Sequence, residues 1–582
     1  MMTTIRLIRR NHADTSGFSD QIHPLIQQIY ARRGIHSEQQ LNRSVKALTS
    51  WEQLNGMSRA VELLLSYRLK TILIVGDFDC DGATSSALML RGLRALGFHD
   101  VHFLVPNRFE YGYGLSPEIA DLACEQGAEL IVTVDNGISS IGGVEHAHQR
   151  GVPVIITDHH LPGAQLPAAE AIVNPNLTDC DFPSKSLAGV GVAFYLLLAI
   201  RAKMREQNLF SALNISMPNL ADHLDLVALG TVADVVRLDQ NNRILVYQGL
   251  ARIRAGKCCV GIQALIEVSR RQQSSLVASD LGFALGPRLN AVGRLDDMSL
   301  GIECLLCDDL QQARRMASEM DGLNRERKSI EISMQQEAEA SVAKLSLNEQ
   351  QLPSALALFR EDWHQGVVGL VASRIKEKYY RPVFAFAKAD EQTLKGSGRS
   401  VAGVHMRDLL ERIDTQNPGL IDKFGGHAMA AGLSLPQQNF TKFVEQLERV
   451  ATEFVEPEHL NYQLFSDGEL PSELMTLEFA ELLQQAGPWG QGFEEPVFDG
   501  EFFLLGQKIV GENHLKMTLQ SVGGNTVVDA IAFNIDRSLW PDFQCRQIHV
   551  AYKLEINEYR GQRSVQLLVE WLEKIPKAGQ KA

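Results

Sequence analysis

Three short segments concentrate carboxylates and imidazoles at a density suited to binding a cation. Asp77-Phe78-Asp79-Cys80-Asp81-Gly82 sets three acids at alternate positions of one loop, and Asp135-Asn136-Gly137 and Asp158-His159-His160 follow later in the chain. Acids this close repel and raise one another's pKa unless a cation neutralises them. Taken singly, each segment also fits a plainer reading: a solvated acidic turn, a helix N-cap, a pair of packed histidines. Convergence in space is what would turn them into a site.

The elements around them predict that convergence. Each segment directly follows a short apolar run, Thr71–Val75, Leu130–Val134 and Val152–Ile156, and similar runs stand at Val101–Val105 and Ala171–Val173. Strand-length runs alternating with helical segments indicate an α/β fold with a parallel, doubly wound sheet. In such a sheet the carboxyl ends of the strands share one edge, where ligands bind. Several carboxylates with one or two imidazoles suit Mg²⁺ or Mn²⁺, whereas zinc more often takes cysteine or a histidine-rich set. Two such ions about 3.5–4 Å apart activate a water and stabilise a leaving oxygen, so phosphoester hydrolysis is the leading chemistry.

In order, the three segments resemble the first three motifs of the DHH phosphoesterases. Gly230-Thr231-Val232-Ala233-Asp234-Val235-Val236 is similar to the fourth, Gly286-Pro287-Arg288-Leu289-Asn290-Ala291-Val292-Gly293-Arg294 to the signature of the RecJ branch, and Phe424-Gly425-Gly426-His427 to the associated DHHA1 domain. The resemblance covers residues from about 70 to 455, and the rest of the chain fits the same branch. It implies a single-stranded-DNA-specific 5′-to-3′ exonuclease that releases mononucleotides in recombination and repair. It further implies two divalent cations, Mn²⁺ or Mg²⁺, held by Asp77, Asp79, Asp81, Asp135, His159 and Asp234, with Asp81, Asp135 and His160 catalytic and His160 close to the scissile phosphate. Arg108 resembles the family's terminal-phosphate ligand. Some smaller relatives carry a histidine just before the acidic cluster; this chain has Val75-Gly76-Asp77, which leaves the division of ligands between the two ions open. Implied partners are single-stranded DNA, a single-stranded-DNA-binding protein and a helicase that supplies unwound ends. Two other readings stay open: a DHH enzyme for small substrates such as pyrophosphate or cyclic dinucleotides, and a non-catalytic scaffold. Length and the signature at 286–294 count against the first, and the fully occupied acidic and histidine positions against the second.

Outside the acidic loops, guanidinium forks at Arg288 and Arg294, flanking Asn290, suit phosphate oxygens, with structural salt bridges as the plainer alternative. Gly396-Ser397-Gly398-Arg399-Ser400 and Gly425-Gly426-His427 read as glycine-rich turns whose amides could approach phosphate. With Arg399 and His427 beside them, and Trp363, His364, Ser373 and Arg374 nearby in sequence, the expectation is a cleft where an aromatic stacks bases and arginines follow the backbone. Lys508, Lys516, Lys553, Arg560 and Arg563 extend that track or simply form a solvated face.

The domains expected are a helical lead-in (1–70), a DHH domain (71–300), a connecting helix (301–350), a second α/β domain of DHHA1 type (351–456) and a C-terminal barrel resembling the oligonucleotide-binding fold (457–575). Proline is absent from 288 to 352, and residues 308–347 are rich in Gln, Ala, Arg, Glu and Met, hence the long helix, whose charges are expected to pair at three- or four-residue spacing as a solvated connector. With 45% hydrophobic and 22% charged residues, the 582-residue chain is of ordinary globular composition, which excludes a disordered or collagenous protein. Its 56 basic against 70 acidic residues give a net charge of −14, so contact with a polyanion must be local or bridged by cations. Eight cysteines, two of them vicinal at 258 and 259, suit a reducing compartment. No apolar stretch reaches the ~20 residues of a membrane span. A cytoplasmic protein, expected to be a monomer, is the reading.

Overall fold

The computed structural model describes residues 5–107, 110, 111, 113–348, 352–559 and 561–576. They fall into two bodies, one formed by Arg9–Asp321 with the residues from Ser466 onward, the other by the first eight residues with Gly322–Phe465.

The chain opens with a strand, β1 (Ile5–Arg9), where the sequence suggests only helices; its edge is satisfied by a segment hundreds of residues away, which local patterning cannot show. In the first body, β2 (Ile72–Gly76), β3 (Val101–Leu104), β4 (Leu130–Val134), β5 (Val154–Thr157) and β6 (Ala171–Val173) form one wholly parallel sheet in the order β3-β2-β4-β5-β6. All residues of β2 and β4 are buried, as expected where helices cover both faces. The direction of winding reverses between β2 and β4, so the loops after these strands flank the crevice where doubly wound sheets bind ligands. The longest uncharged apolar stretch of the sequence, residues 186–200, forms most of the buried helix Gly189–Glu206; among the described residues no helix is long and apolar enough to cross a membrane.

The same body contains the C-terminal barrel. Strands β13 (Phe498–Val510), β14 (His514–Ser521), β15 (Val527–Ala532), β16 (Gln547–Tyr559) and β17 (Gln562–Lys574) close in the order β13-β14-β15-β17-β16, with β15 and β17 parallel and the other neighbours antiparallel. The buried Asp499 carboxylate accepts from Arg9, Ser466 and His549, tying those residues to the barrel. Trp489 stacks on Phe493 at 4.9 Å, and the Arg243 guanidinium lies 4.5 Å from the Phe493 ring centre.

In the second body, β7 (Leu356–Phe359), β8 (Val383–Lys388), β9 (Thr393–Arg399), β10 (Lys423–Gly426) and β11 (Ala430–Pro436) form a mixed sheet in the order β10-β11-β9-β8-β7. A strand β12 (Tyr462–Ser466) pairs with β1. The glycine-rich stretches expected as turns are strands here. A Cβ on Gly396 would meet the Phe386 ring at 2.4 Å and one on Gly398 the Phe384 ring at 2.5 Å, so these glycines make room for the phenylalanines opposite them. Gly425 and Gly426 lie in β10, paired with Gly432 and Ala431.

The helix Leu310–Asn348 is the long element expected, and Arg314, Arg315, Glu319, Arg325, Glu326 and Lys328 on it are exposed as expected. Asn324, Arg327 and Glu331 are buried, along with Met334, Ala338 and Val342. Arg327 donates to Glu331 and Asn324, the i,i+4 and i,i−3 spacing making a buried polar cluster that departs from the expected solvated pairing.

Candidate metal centre and nucleic-acid contacts

Asp79 is the N-cap of the helix Cys80–Ala95: its Oδ1 accepts from the Asp81 and Gly82 amides at 2.9 and 3.0 Å, a role that uses one oxygen and leaves the other available. Asp81, 1% exposed, meets the start of the helix Gly189–Glu206, its two oxygens accepting from the Gly189 and Val190 amides at 2.7 and 2.9 Å. The electropositive helix end compensates part of that burial. Asp77 is buried in the same loop and accepts from the Phe78 amide at 2.7 Å.

Asp135 follows β4 with φ +61°, a left-handed conformation that aims its carboxylate across the switch point, and its amide donates to the Thr157 carbonyl at 3.1 Å. His159 Nε2 lies 3.1 Å from Asp135 Oδ1 and 3.5 Å from Asp234 Oδ2, the latter at the end of the helix Leu224–Ala233. Ligand atoms of three groups, Asp77/Asp79/Asp135, Asp81/His159/Asp234 and Asp135/His159/His160, lie within 4.8 Å of one another. The segments that the sequence offers as metal-binding therefore do converge.

Two glycines make this convergence possible. A Cβ on Gly189 would stand 2.5 Å from Asp135 Oδ1, and one on Gly230 would stand 2.3 Å from Thr84 Oγ1 and 2.8 Å from Asp81 Oδ1.

Asp158 orients the histidines. Its Oδ1 accepts from the His159 amide at 2.7 Å, the His160 amide at 3.0 Å and His160 Nδ1 at 2.7 Å, while Oδ2 accepts from the Ile138 amide at 2.9 Å. Burial works to raise its pKa, but the His160 hydrogen bond and the two imidazoles prevail and hold it below the ordinary carboxylate value. His160 responds oppositely: burial would lower it, yet Asp158, with Asp77 and Asp79, raises it to about 9. Burial, reinforced by the neighbouring Asp79, pushes Asp81 up to about 7; burial and adjacent carboxylates likewise drive Asp135 and Asp234 well above the ordinary value.

These properties fit divalent cations. Asp135 Oδ1 is buried and, among the described residues, accepts no hydrogen bond despite the nearby imidazole, the neighbouring acids are electrostatically frustrated, and the donor set of hard oxygens with imidazole matches Mn²⁺ or Mg²⁺.

Three family models match: "DHH family, N-terminal domain" over residues 71–231, "DHHA1 domain" over 352–453 and "RecJ OB domain" over 466–571. The single-stranded-DNA-specific exonuclease RecJ of Escherichia coli (strain K12) is 58% identical over 98% of this chain and 99% of its own. The chain belongs to the RecJ family. RecJ of Thermus thermophilus, solved in complex with Mn²⁺, superposes with a TM-score of 0.79 at 29% identity, covering 99% of this chain and 80% of that one. Its complex with Mg²⁺ gives 0.75 at 28%, covering 99% and 79%. The α/β class, the second α/β domain and the terminal barrel expected from the sequence are those of RecJ.

The remaining sequence-predicted positions divide. Arg108 lies outside the described residues. Arg288 donates to Asp321 Oδ1 at 2.9 Å and to the Ala284 carbonyl, taking the salt-bridged alternative. Asn290 Oδ1 accepts from the Cys80 amide at 2.8 Å, so it faces the acidic loop from behind; Arg294 lies at the end of the same helix, Gly286–Leu295. Trp363 as a base platform is corrected: it is 5% exposed, and its indole donates to Glu337 at 2.9 Å. Arg374 pairs with Glu331 at 2.8 Å and Glu377 at 3.1 Å, Ser373 donates to the Gly369 carbonyl within its own helix, and His364 Nδ1 accepts from the Gly366 amide. The His427 amide donates to the Ala430 carbonyl next to β11.

Arg399 differs from these. Its Nη1 donates to Ser397 Oγ at 3.0 Å and the Gly398 carbonyl at 2.8 Å, and no carboxylate among the described residues pairs with it. Burial alone lowers its pKa. A Cβ on Gly369, in the first turn of the helix Val368–Tyr379, would stand 2.9 Å from Arg399 Nη2, so the guanidinium lies at that helix's N-terminal end.

Several contributors escape sequence reading. Tyr113 donates to the Asp135 carbonyl at 3.2 Å and packs edge-on against Phe78 and His160, each at 5.9 Å. Asn174 and Asn176 donate to the His160 and His159 carbonyls at 2.9 and 2.6 Å. The two asparagines follow β6, a strand end on the same sheet edge, which was the available signal. Tyr113 gave none beyond its place in a glycine-flanked turn.

Proposed function

We infer that this chain is a single-stranded-DNA-specific 5′-to-3′ exonuclease, a metal-dependent hydrolase that releases mononucleotides in recombination and repair. The observation that carries the reading is the convergence of Asp77, Asp79, Asp81, Asp135, His159 and Asp234 at one sheet edge, in a chain 58% identical to a RecJ over nearly its whole length. Those six residues hold two divalent cations, Mn²⁺ or Mg²⁺, which when bound supply Lewis-acid activation of water and neutralise charge on the phosphoester.

The chain's own residues do the rest. Asp158 engages Nδ1 of His160 while Nε2 lies 3.5 Å from the Tyr113 hydroxyl, and the raised pKa keeps the ring protonated near neutrality, able to donate to a phosphate or leaving oxygen. Tyr113 buttresses that ring. Arg399, half-buried beside a helix N-terminus with no carboxylate partner among the described residues, suits a phosphate of the DNA strand, with Ser397 holding its fork in place. Because the chain is acidic overall, its grip on DNA rests on such local contacts and weakens with salt.

The same reading makes residues 71–300 the catalytic domain, 351–456 and the barrel at 457–575 the parts that follow the strand, and the protein a cytoplasmic monomer. It works beside a single-stranded-DNA-binding protein and a helicase, since a single-strand-specific enzyme needs unwound ends. Nucleotide release from long oligonucleotides, set against phosphate release from pyrophosphate, tests the substrate class. Activity on DNA alone is expected; activity on pyrophosphate alone would return the small-substrate reading.

A further inference from the structure

The helix Gly286–Leu295 reads from sequence as a substrate element, yet one of its faces is turned to the metal loops. Gly286, Asn290 and Gly293 stand at spacings of four and three, a single stripe of that helix. Each meets a ligand-bearing segment. A Cβ on Gly286 would lie 3.1 Å from the Ala233 Cβ, one residue before Asp234. A Cβ on Gly293 would lie 1.8 Å from the Phe78 carbonyl oxygen, between Asp77 and Asp79; only glycine admits that approach. Between them, Asn290 Oδ1 accepts the Cys80 amide proton at 2.8 Å.

That last bond has a specific consequence. Cys80 is the first residue of its helix, so its N–H has no partner within the helix. Asp79 already gives Oδ1 to two further amides of the same turn. Without Asn290, the buried Cys80 amide would be left orphaned or would draw on Asp79, in direct competition with a cation. We propose that Asn290 is a positioning residue: through the Cys80 amide it fixes the Asp77–Asp81 loop, and the glycine face of its helix braces that loop against the segment carrying Asp234. It touches neither cation nor DNA. The proposal rests on the metal-nuclease reading above.

The test is Mn²⁺ affinity, read by electron paramagnetic resonance of free Mn²⁺ in the full-length protein, for wild type, Asn290→Ala and Asn290→Asp. Removing a group that orients a ligand typically weakens metal binding ~10–100-fold, and that loss is expected for the alanine variant. The aspartate variant keeps an acceptor oxygen for the Cys80 amide and should bind Mn²⁺ at least as tightly as wild type. Metal-free affinity for a single-stranded oligonucleotide, by fluorescence anisotropy, should be the same for all three. An alanine variant with wild-type Mn²⁺ affinity and weakened DNA binding would overturn the proposal in favour of a substrate contact; an aspartate variant as weak as alanine would overturn the role of the accepted bond. Should the alanine variant fail to fold, hydrogen exchange on wild type decides: Mn²⁺ should slow exchange across residues 286–295, and no slowing there, with slowing at the acidic loop, would refute the brace. A wild type that binds no Mn²⁺ would instead refute the metal-nuclease reading.

Discussion

Asp158→Asn keeps the shape of a buried side chain while removing its charge and one of its two acceptors. The carboxylate accepts four hydrogen bonds, three on Oδ1 from the His159 and His160 amides and His160 Nδ1, and one on Oδ2 from the Ile138 amide. If the asparagine oxygen keeps the first three, its NH₂ faces the Ile138 N–H, and a buried donor left unsatisfied costs ~1–3 kcal/mol. Losing charge assistance on the imidazole bond costs a further ~1 kcal/mol. The variant should therefore lose about 2–4 kcal/mol and unfold a few degrees lower. Its pH dependence identifies the cause. His160, raised to about 9 in the folded protein from an ordinary 6.5, contributes stability that is full below 6.5 and lost as pH rises through about 9. In the acid range, above the titration of Asp158, the stability gap between wild type and variant should be widest, and it should narrow toward pH 9. The assays are thermal unfolding of the metal-free protein across pH 5–9.5 and the pH profile of kcat, whose basic limb should move to lower pH with a ~10–100-fold drop at neutral pH. A variant with wild-type kcat and an unmoved limb would refute the assignment of Asp158 as the group that orients and charges His160.

Asp81, raised to about 7, and Asp135 and Asp234, driven well above the ordinary carboxylate value by burial and neighbouring acids, hold protons in the metal-free protein, so Mn²⁺ affinity should climb with pH, with proton release seen by calorimetry in buffers of different ionisation enthalpy; pH-independent binding would contradict it. Arg399→Ala should weaken single-stranded DNA binding and reduce the slope of log affinity against log salt by about 0.7, the share of one phosphate; an unchanged slope would remove Arg399 from the DNA. Glu331→Ala leaves the buried Arg327 unpaired and should destabilise by ~3–5 kcal/mol in thermal unfolding, and a neutral result would show that the cluster is not held together by its charges. Trp363→Phe, losing the hydrogen bond to Glu337 and part of the buried indole's volume, should cost ~2–3 kcal/mol of stability with DNA affinity intact; a selective loss of DNA affinity would reinstate the stacking role.

The first body is legible in the sequence because its signals are local and repeated. Apolar runs of strand length each end in a polar group, and the edge rule for parallel sheets turns sequence order into spatial convergence, so the acidic and histidine segments can be brought together before any coordinates. What escapes depends on contacts distant in sequence. Gly396 and Gly398 read as a turn because nothing local reveals the phenylalanines that cross them on β8. Arg327 and Glu331 read as solvated like the exposed charges around them because burial of one helix face depends on what packs there. The same holds within the site: Trp363 and Arg374 are plausible DNA contacts by residue type, but their partners Glu337 and Glu331 lie on a helix 26 and 43 residues away. Asn290 stands out by its motif, yet the motif suggests phosphate as its neighbour, because its partner, the Cys80 amide, is 210 residues upstream.

The central claim is that the converged acids and histidine run a 5′-directed nuclease. It is tested most directly by a time course on long single-stranded DNA labelled at either end, with Mn²⁺ or Mg²⁺, for wild type, Asp81→Ala and Asp135→Ala, each confirmed folded by its thermal transition. Wild type should release the 5′ label at once as mononucleotide, with the 3′ label retained until late and both variants inert. Variants as active as wild type would contradict the metal centre, and early release of the 3′ label would contradict the polarity.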